Sequence, residues 1–180
     1  MLAAGNSVRF GTENKLFYRV NSKRLIEYAL ELHGNISYAE KIVVTQIGFS
    51  QICARAKTHG FTVVINPQPE RGIGSSVACA VNAKQQDVDG ILFAVCDQPY
   101  LREETVVRMI DTFCAEPDCI VALGDARRRG NPVIFPQSCF SDLSCLNGDV
   151  GGSAVIRMHP ELLRFSAVTD PIELSDIDTK

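Results

Sequence analysis

Two cations and a run of small residues open the chain. Residues 2–11 read Leu-Ala-Ala-Gly-Asn-Ser-Val-Arg-Phe-Gly, and Asn14-Lys15-Leu16 follows closely. Small residues let a backbone approach a ligand, and consecutive amides can then aim at phosphate oxygens. Arg9 can grip a phosphate bidentately, while Lys15 supplies a compact point charge. Neither standard glycine fingerprint is met. Gly5 and Gly11 come close to P-loop spacing but enclose one residue too many, Thr12 follows where a P-loop needs Lys, and no G-x-G-x-x-G occurs. On composition alone, residues 2–15 read equally as a flexible N-terminal turn.

Two acidic positions could complement such a loop. Asp97, in Ala94-Val95-Cys96-Asp97-Gln98-Pro99, closes a strongly apolar run. A carboxylate there suits Mg²⁺, which takes one or two carboxylates together with phosphate oxygens. Capping of the turn before Pro99 is the competing reading. Near the end, Ser175-Asp176-Ile177-Asp178-Thr179 puts alternating aspartates on one side of a short extended segment. They could complete a metal site or belong to a solvated terminus.

Two further loops could meet a ligand. Asn66-Pro67, then Gly72, Ser75 and Ser76, form a turn running into a helix start, suited to base, ribose or phosphate contacts and equally to capping. Arg127, Arg128 and Arg129 precede Gly130-Asn131-Pro132, a basic loop that could face an anionic co-substrate or simply be solvated.

These loops need elements to hold them. Residues 42–45, 62–65, 91–95, 120–123 and 133–135 are β-rich runs, mostly apolar on both faces, as in strands covered by helices. Between them lie segments of helical period. Leu25, Ala29 and Leu32 share one face, and Ile52 and Ala56 another, in a helix that Ser50 caps and Gly60 ends. Val77, Ala80 and Val81 mark a third helix, and Val106, Ile110 and Phe113 a fourth. Such β-α alternation predicts a three-layer α/β/α fold with a mostly parallel, Rossmann-like sheet. Ligands in these sheets bind beyond the carboxyl ends of the strands. No repeat or linker divides residues 1–180, which read as one domain.

Composition narrows the partners. Hydrophobic residues make up 46% of 180 and charged residues 22%, ordinary values for a globular protein. A net charge of -3 gives no general attraction to nucleic acid or anionic membrane. No apolar run approaches the ~20 residues that span a bilayer, and the start lacks a secretory leader, so a cytoplasmic location is expected. Seven cysteines, an odd number without any Cys-x-x-Cys, read as reduced packing residues.

Taken in order, Leu-Ala-Ala-Gly-x-Ser-x-Arg-Phe-Gly…Asn-Lys-Leu, Asn-Pro…Gly-x-x-x-Ser, Cys-Asp-Gln-Pro, Gly-Asn-Pro-Val, Gly-Asp-Val-Gly and Asp-Ile-Asp-Thr resemble the molybdenum-cofactor cytidylyltransferases. These belong to the nucleotidyltransferases of glycosyltransferase-A-like fold, and the resemblance covers essentially the whole sequence. It implies that Leu2, Ala3, Ala4, Gly5, Ser7, Arg9 and Lys15 bind the triphosphate. Asn66, Gly72 and Ser76 would line base and ribose. Asp97 would hold Mg²⁺, with Asp178 the favoured second ligand and Asp176 the weaker candidate. Gly130, Asn131, Pro132, Gly148 and Asp149 would face the pterin. Ala4 matches the Leu-Ala-Ala-Gly form of pyrimidine-nucleotide users, which favours CTP over GTP. Against that pattern both ends look trimmed: the first strand is nearly absent, and relatives continue past Asp-Ile-Asp-Thr into a helix.

The implied reaction is transfer of CMP from CTP to the terminal phosphate of molybdopterin, releasing pyrophosphate, with Arg9, Lys15 and Asp97 as catalytic residues. A molybdenum hydroxylase would receive the product. A phosphate monoester, whose second pKa is about 6, is already a nucleophile near neutral pH, so no strong general base is required. Two other readings stay open: a nucleotidyltransferase using GTP or another phosphorylated acceptor, and a non-catalytic carrier or chaperone of the mature cofactor.

Overall fold

The Ile-Val-Val-Thr-Gln and Thr-Val-Val-Ile-Asn runs are β-branched nearly throughout, and they pair in parallel, Ile42 with Thr62 through Gln46 with Asn66. They form β3 (Ile42–Gln46) and β4 (Thr62–Asn66), after a small antiparallel hairpin of β1 (Arg19–Val20) and β2 (Lys23–Arg24). The structure is a computed structural model that describes residues 1–5, 14–125 and 127–177.

Four strands make the other half of the sheet. These are β5 (Gly90–Phe93), β6 (Ile120–Gly124), β7 (Arg129–Pro136) and β8 (Leu163–Ser166), in spatial order β5-β7-β6-β8. Leu2 joins the halves by bridging Val44 on one side and Val95 on the other, both in parallel. Strand β7 alone runs against its neighbours β5 and β6, whereas β6 and β8 are parallel. The expected mostly parallel sheet is therefore present.

Alternation along the strands assigns the layers. Val44, Phe93, Ile120, Ala122, Val133 and Phe135 pack with Val77, Ala80 and Val81 of α3 (Ile73–Ala83), Leu143 of α5 (Phe140–Ser144) and Val155 of α6 (Ser153–Met158). On the opposite face, Val43 and Ala94 pack with Ile26, Ala29 and Leu30 of α1 (Leu25–Asn35) and with Ile52 and Ala56 of α2 (Ser50–Thr58). Val121, Leu123 and Ile134 receive Met109 and Phe113 of α4 (Glu103–Ala115) on that face. Helices thus cover both faces, as expected from the α/β/α pattern.

Several details differ from the sequence reading. The buried stripe of α1 is Leu25, Ile26, Ala29, Leu30 and His33, while Leu32 is only half-buried. His33 joins that stripe because its Nδ1 meets the Tyr38 hydroxyl at 2.9 Å, so a polar residue satisfies the inward position. Phe49, not Ser50, occupies the N-cap of α2, which has no capping bond from a side chain. Gly60, at φ 78°, does follow the helix in left-handed conformation. Residues 129–132, read as loop, open β7 instead. The pairing of β6 jumps from Ala122–Val133 to Leu123–Gly130, so Asn131 and Pro132 fall in an irregularity of the ladder. All seven cysteines are free thiols, and burial pushes that of Cys96 up to about 12.

Candidate active site

Residues 1–5 enter between β3 and β5. Leu2 N donates to Ala94 O at 2.9 Å, Ala3 N to Val44 O at 2.8 Å, and Val44 N to Met1 O at 2.9 Å. Side chains of β3 hold the exit: Thr45 Oγ1 donates to Ala3 O at 3.2 Å and Gln46 Nε2 to Ala4 O at 2.9 Å. The start of the loop is thereby fixed at the carboxyl ends of two parallel strands, the place where open α/β sheets bind ligands.

Lys15 returns to the same point. Asn14 Oδ1 accepts from Leu16 N at 2.9 Å and caps the short turn Lys15–Phe17, while Leu16 is buried in the core beside α1. From this fixed backbone, Lys15 Nζ donates to Asp97 Oδ2 at 2.8 Å, with the two side chains only 13% and 24% exposed. Asp97 Oδ1 is buried and has no hydrogen-bond partner among the described residues. An orphaned carboxylate oxygen is costly to bury, and it is also the donor a hard cation takes. The backbone oxygen of Asp97 accepts from Ile177 N at 3.0 Å, which brings the Ser175-Asp176-Ile177 segment alongside.

The N-terminus of α3 forms the facing wall. Gly72 has φ 80°, and a Cβ there would lie 2.6 Å from the carbonyl carbon and oxygen of Gly148. Gly74 N donates to Gly148 O at 3.0 Å. Only glycine at position 72 permits this close approach, which places Asp149 beside the helix start. Asn66 frames the turn from beneath. Its Nδ2 donates to Ser75 Oγ at 2.8 Å and to Ser76 Oγ at 3.0 Å, and its Oδ1 accepts from Gln68 N at 2.9 Å. At 1% exposure it does not line a cavity itself.

Two adjoining clefts result. One, of about 470 Å³, is lined by Leu2, Ala3, Ala4, Gly5, Lys15, Gly72, Ser76, Asp97 and Asp149. The other, of about 450 Å³, is lined by Gln98, Arg128, Arg129, Gly130, Asn131, Asp149 and Asp176 among others. Leu2, Ile73, Val95 and Asp149 belong to both, so the clefts share a wall. Most of the positions expected from the sequence converge here. Pro132 is buried and Gly148 backs the α3 turn, and neither lines either cleft. Ser7, Arg9 and Asp178 lie outside the described residues. Among the described residues no group of three or more His, Cys, Asp or Glu forms a metal cluster. Gln98, buried at 8% exposure, joins the second cleft although its position in Cys-Asp-Gln-Pro was its only sequence signal.

Residues 1–163 match the MobA-like NTP transferase domain. The protein belongs to this family. It is a nucleotidyltransferase by that membership. Among family relatives, nicotine blue oxidoreductase of Paenarthrobacter nicotinovorans is 29% identical over 99% of this chain and 90% of its own. A probable molybdenum cofactor guanylyltransferase of a Geobacillus species is 29% identical over 61% of this chain and 54% of its own. The crystal structure of Rv0371c from Mycobacterium tuberculosis H37Rv superposes with a TM-score of 0.83 at 25% identity, covering 99% of this chain and 90% of that one. A manganese complex of that protein superposes with a TM-score of 0.76 at 23% identity, over 93% of this chain and 85% of that one. No helix among the described residues is long and apolar enough to cross a membrane.

Proposed function

We propose that this nucleotidyltransferase moves CMP from CTP to the terminal phosphate of molybdopterin and releases pyrophosphate. The observation that carries this reading is Asp97, one oxygen paired with Lys15 and the other buried without a partner among the described residues, in the lining of the first cleft. The first cleft suits a triphosphate. Lys15 offers a cation, the eleven-residue helix α3 offers its positive end, and small residues allow backbone approach. Ser76 Oγ accepts from Asn66, so its own proton is left to donate into the cleft. The second cleft suits an anionic acceptor through Arg129, with Asn131 and Gln98 offering amides.

The donor set fits Mg²⁺. That ion needs only one or two carboxylates when phosphates supply the rest, and the orphaned Asp97 oxygen meets the requirement with Asp178 or Asp176 as a second ligand. When bound, it supplies charge neutralisation of the triphosphate and the pyrophosphate leaving group. The protein's own residues then orient. The acceptor phosphate attacks the α-phosphorus of CTP, pyrophosphate leaves, and no side chain has to remove a proton from a phosphate already ionised. Preference for CTP rests on Ala4, whose buried methyl borders the nucleotide cleft.

A second reading is favoured by the near full-length likeness to a protein named as an oxidoreductase. It would use the same clefts for a reduced dinucleotide and an oxidised acceptor. Hydride transfer has no use for a buried orphan carboxylate oxygen beside a lysine, which favours the first reading. The deciding test incubates the protein with Mg²⁺, each NTP and a panel of phosphorylated acceptors, following pyrophosphate, with NADH and NADPH oxidation as the parallel arm. CTP- and molybdopterin-dependent pyrophosphate release is expected; nicotinamide oxidation without pyrophosphate would replace this reading by the second.

A further inference from the structure

Residues 170–177 return from β8 to the Asp97 loop as a short 3₁₀ turn, Pro171–Leu174, and an extended tail. Glu173 in that turn is 0% exposed. Its two oxygens serve different partners. Oε1 accepts from Asp170 N at 3.2 Å and closes the turn on itself. Oε2 accepts from Arg102 N, also at 3.2 Å, at the N-cap of α4. Both oxygens of this buried side chain are thus bonded to backbone amides, one of them at a helix start that carries partial positive charge. The neighbouring Leu174 packs against the sheet, its Cδ2 2.5 Å from where a Cβ on Gly130 would stand, and its carbonyl accepts from Arg128 Nη2 at 2.9 Å.

Three residues further, Ile177 N donates to Asp97 O at 3.0 Å. The stretches 97–102 and 173–177 are therefore tied at both ends, Asp97 to Ile177 and Arg102 to Glu173. Asp176 lies inside this closed frame and lines the second cleft.

We propose that Glu173 is a positioning residue that sets Asp176 beside the Asp97 loop. It does so by latching the segment that carries Asp176 to the helix that the Asp97 loop enters. Nothing in the sequence marks this role, because Glu173 belongs to none of the motifs. The inference rests on the metal-assisted reading above, and its test separates the two.

Mn²⁺ binding is measured with CTP present, on the full-length protein, from the electron paramagnetic resonance signal of the free ion. Glu173→Ala is expected to raise the Mn²⁺ dissociation constant about 10–100-fold. Glu173→Gln, which keeps one carbonyl acceptor, is expected to fall between it and wild type. Far-UV circular dichroism and urea unfolding establish that each variant is folded. If Glu173→Ala does not fold, Glu173→Gln carries the test. Wild-type Mn²⁺ affinity in either folded variant overturns the latch, even if its unfolding midpoint has dropped. Failure of wild type to retain Mn²⁺ with any NTP overturns the metal-assisted reading and the latch with it.

Discussion

Lys15 Nζ meets Asp97 Oδ2 at 2.8 Å, joining a cation from the N-terminal segment to a carboxylate beyond β5, 82 residues away in sequence. Both side chains are largely buried, so the pair is screened less than a surface salt bridge. Replacing Lys15 by Met keeps the length and removes the charge. A charge-assisted hydrogen bond contributes roughly 1.5–3 kcal/mol, so the KM for CTP should rise about 10–100-fold. Arginine should not restore it, since its planar fork cannot replace a point charge in this space. Steady-state kinetics with the two variants checks both statements, and a wild-type KM in Lys15→Met would contradict them.

Asn66 holds Ser75, Ser76 and Gln68 in the turn that enters α3. Asn66→Ala removes three hydrogen bonds from a buried turn and leaves Gln68 N without its acceptor. A loss of about 1–3 kcal/mol in unfolding free energy is expected. Urea denaturation measures it; an unchanged midpoint would mean that water replaces the amide.

Gly72 is constrained twice, by φ 80° and by the nearness of Gly148 and Asp149. Gly72→Ala should cost at least ~1–3 kcal/mol in backbone strain alone and push the residue 147–150 loop away from α3. Because Asp149 belongs to both clefts, turnover should fall more than stability. Thermal unfolding and kcat/KM on the same sample test this, and wild-type values for both would refute it.

His33 predicts a pH dependence remote from the site. Burial, with surrounding positive charge that includes Lys41, lowers its imidazole from 6.5 to about 3. Between those values the unfolded state binds the extra proton, so stability is present above about 6.5 and declines as pH falls toward 3. The slope from this one residue is at most roughly 1.4 kcal/mol per pH unit. His33→Gln should flatten the decline of the urea midpoint between pH 7 and pH 5 (roughly the onset of the transition). Identical slopes in the variant and wild type would contradict the assignment.

Much of this arrangement was legible from residue types. The apolar β-rich runs became strands, most of them packed on both faces although residues 62–65 stay partly exposed, and Asp97 falls just beyond the strand where the pattern placed it. What escaped depends on non-local partners. His33 is buried in the stripe where Leu32 was expected, because Tyr38 supplies a hydrogen bond that no helical period encodes. Gly130 lines the second cleft, but the sequence does not show that it must also accommodate the side chain of Leu174, 44 positions later. Asn66 reads as a ligand contact, yet its polar atoms are spent on the turn beside it. The β8 strand and the Glu173 turn carry no motif; packing against β6 and α4 creates them.

The central claim is that Asp97 supports metal-assisted nucleotidyl transfer. It is tested most directly by pyrophosphate release from CTP with Mg²⁺ and molybdopterin, comparing wild type with Asp97→Ala. The account expects CTP-dependent release by wild type, and a fall of at least ~10²–10³-fold in a variant that remains folded by circular dichroism. Wild-type turnover in folded Asp97→Ala would contradict it.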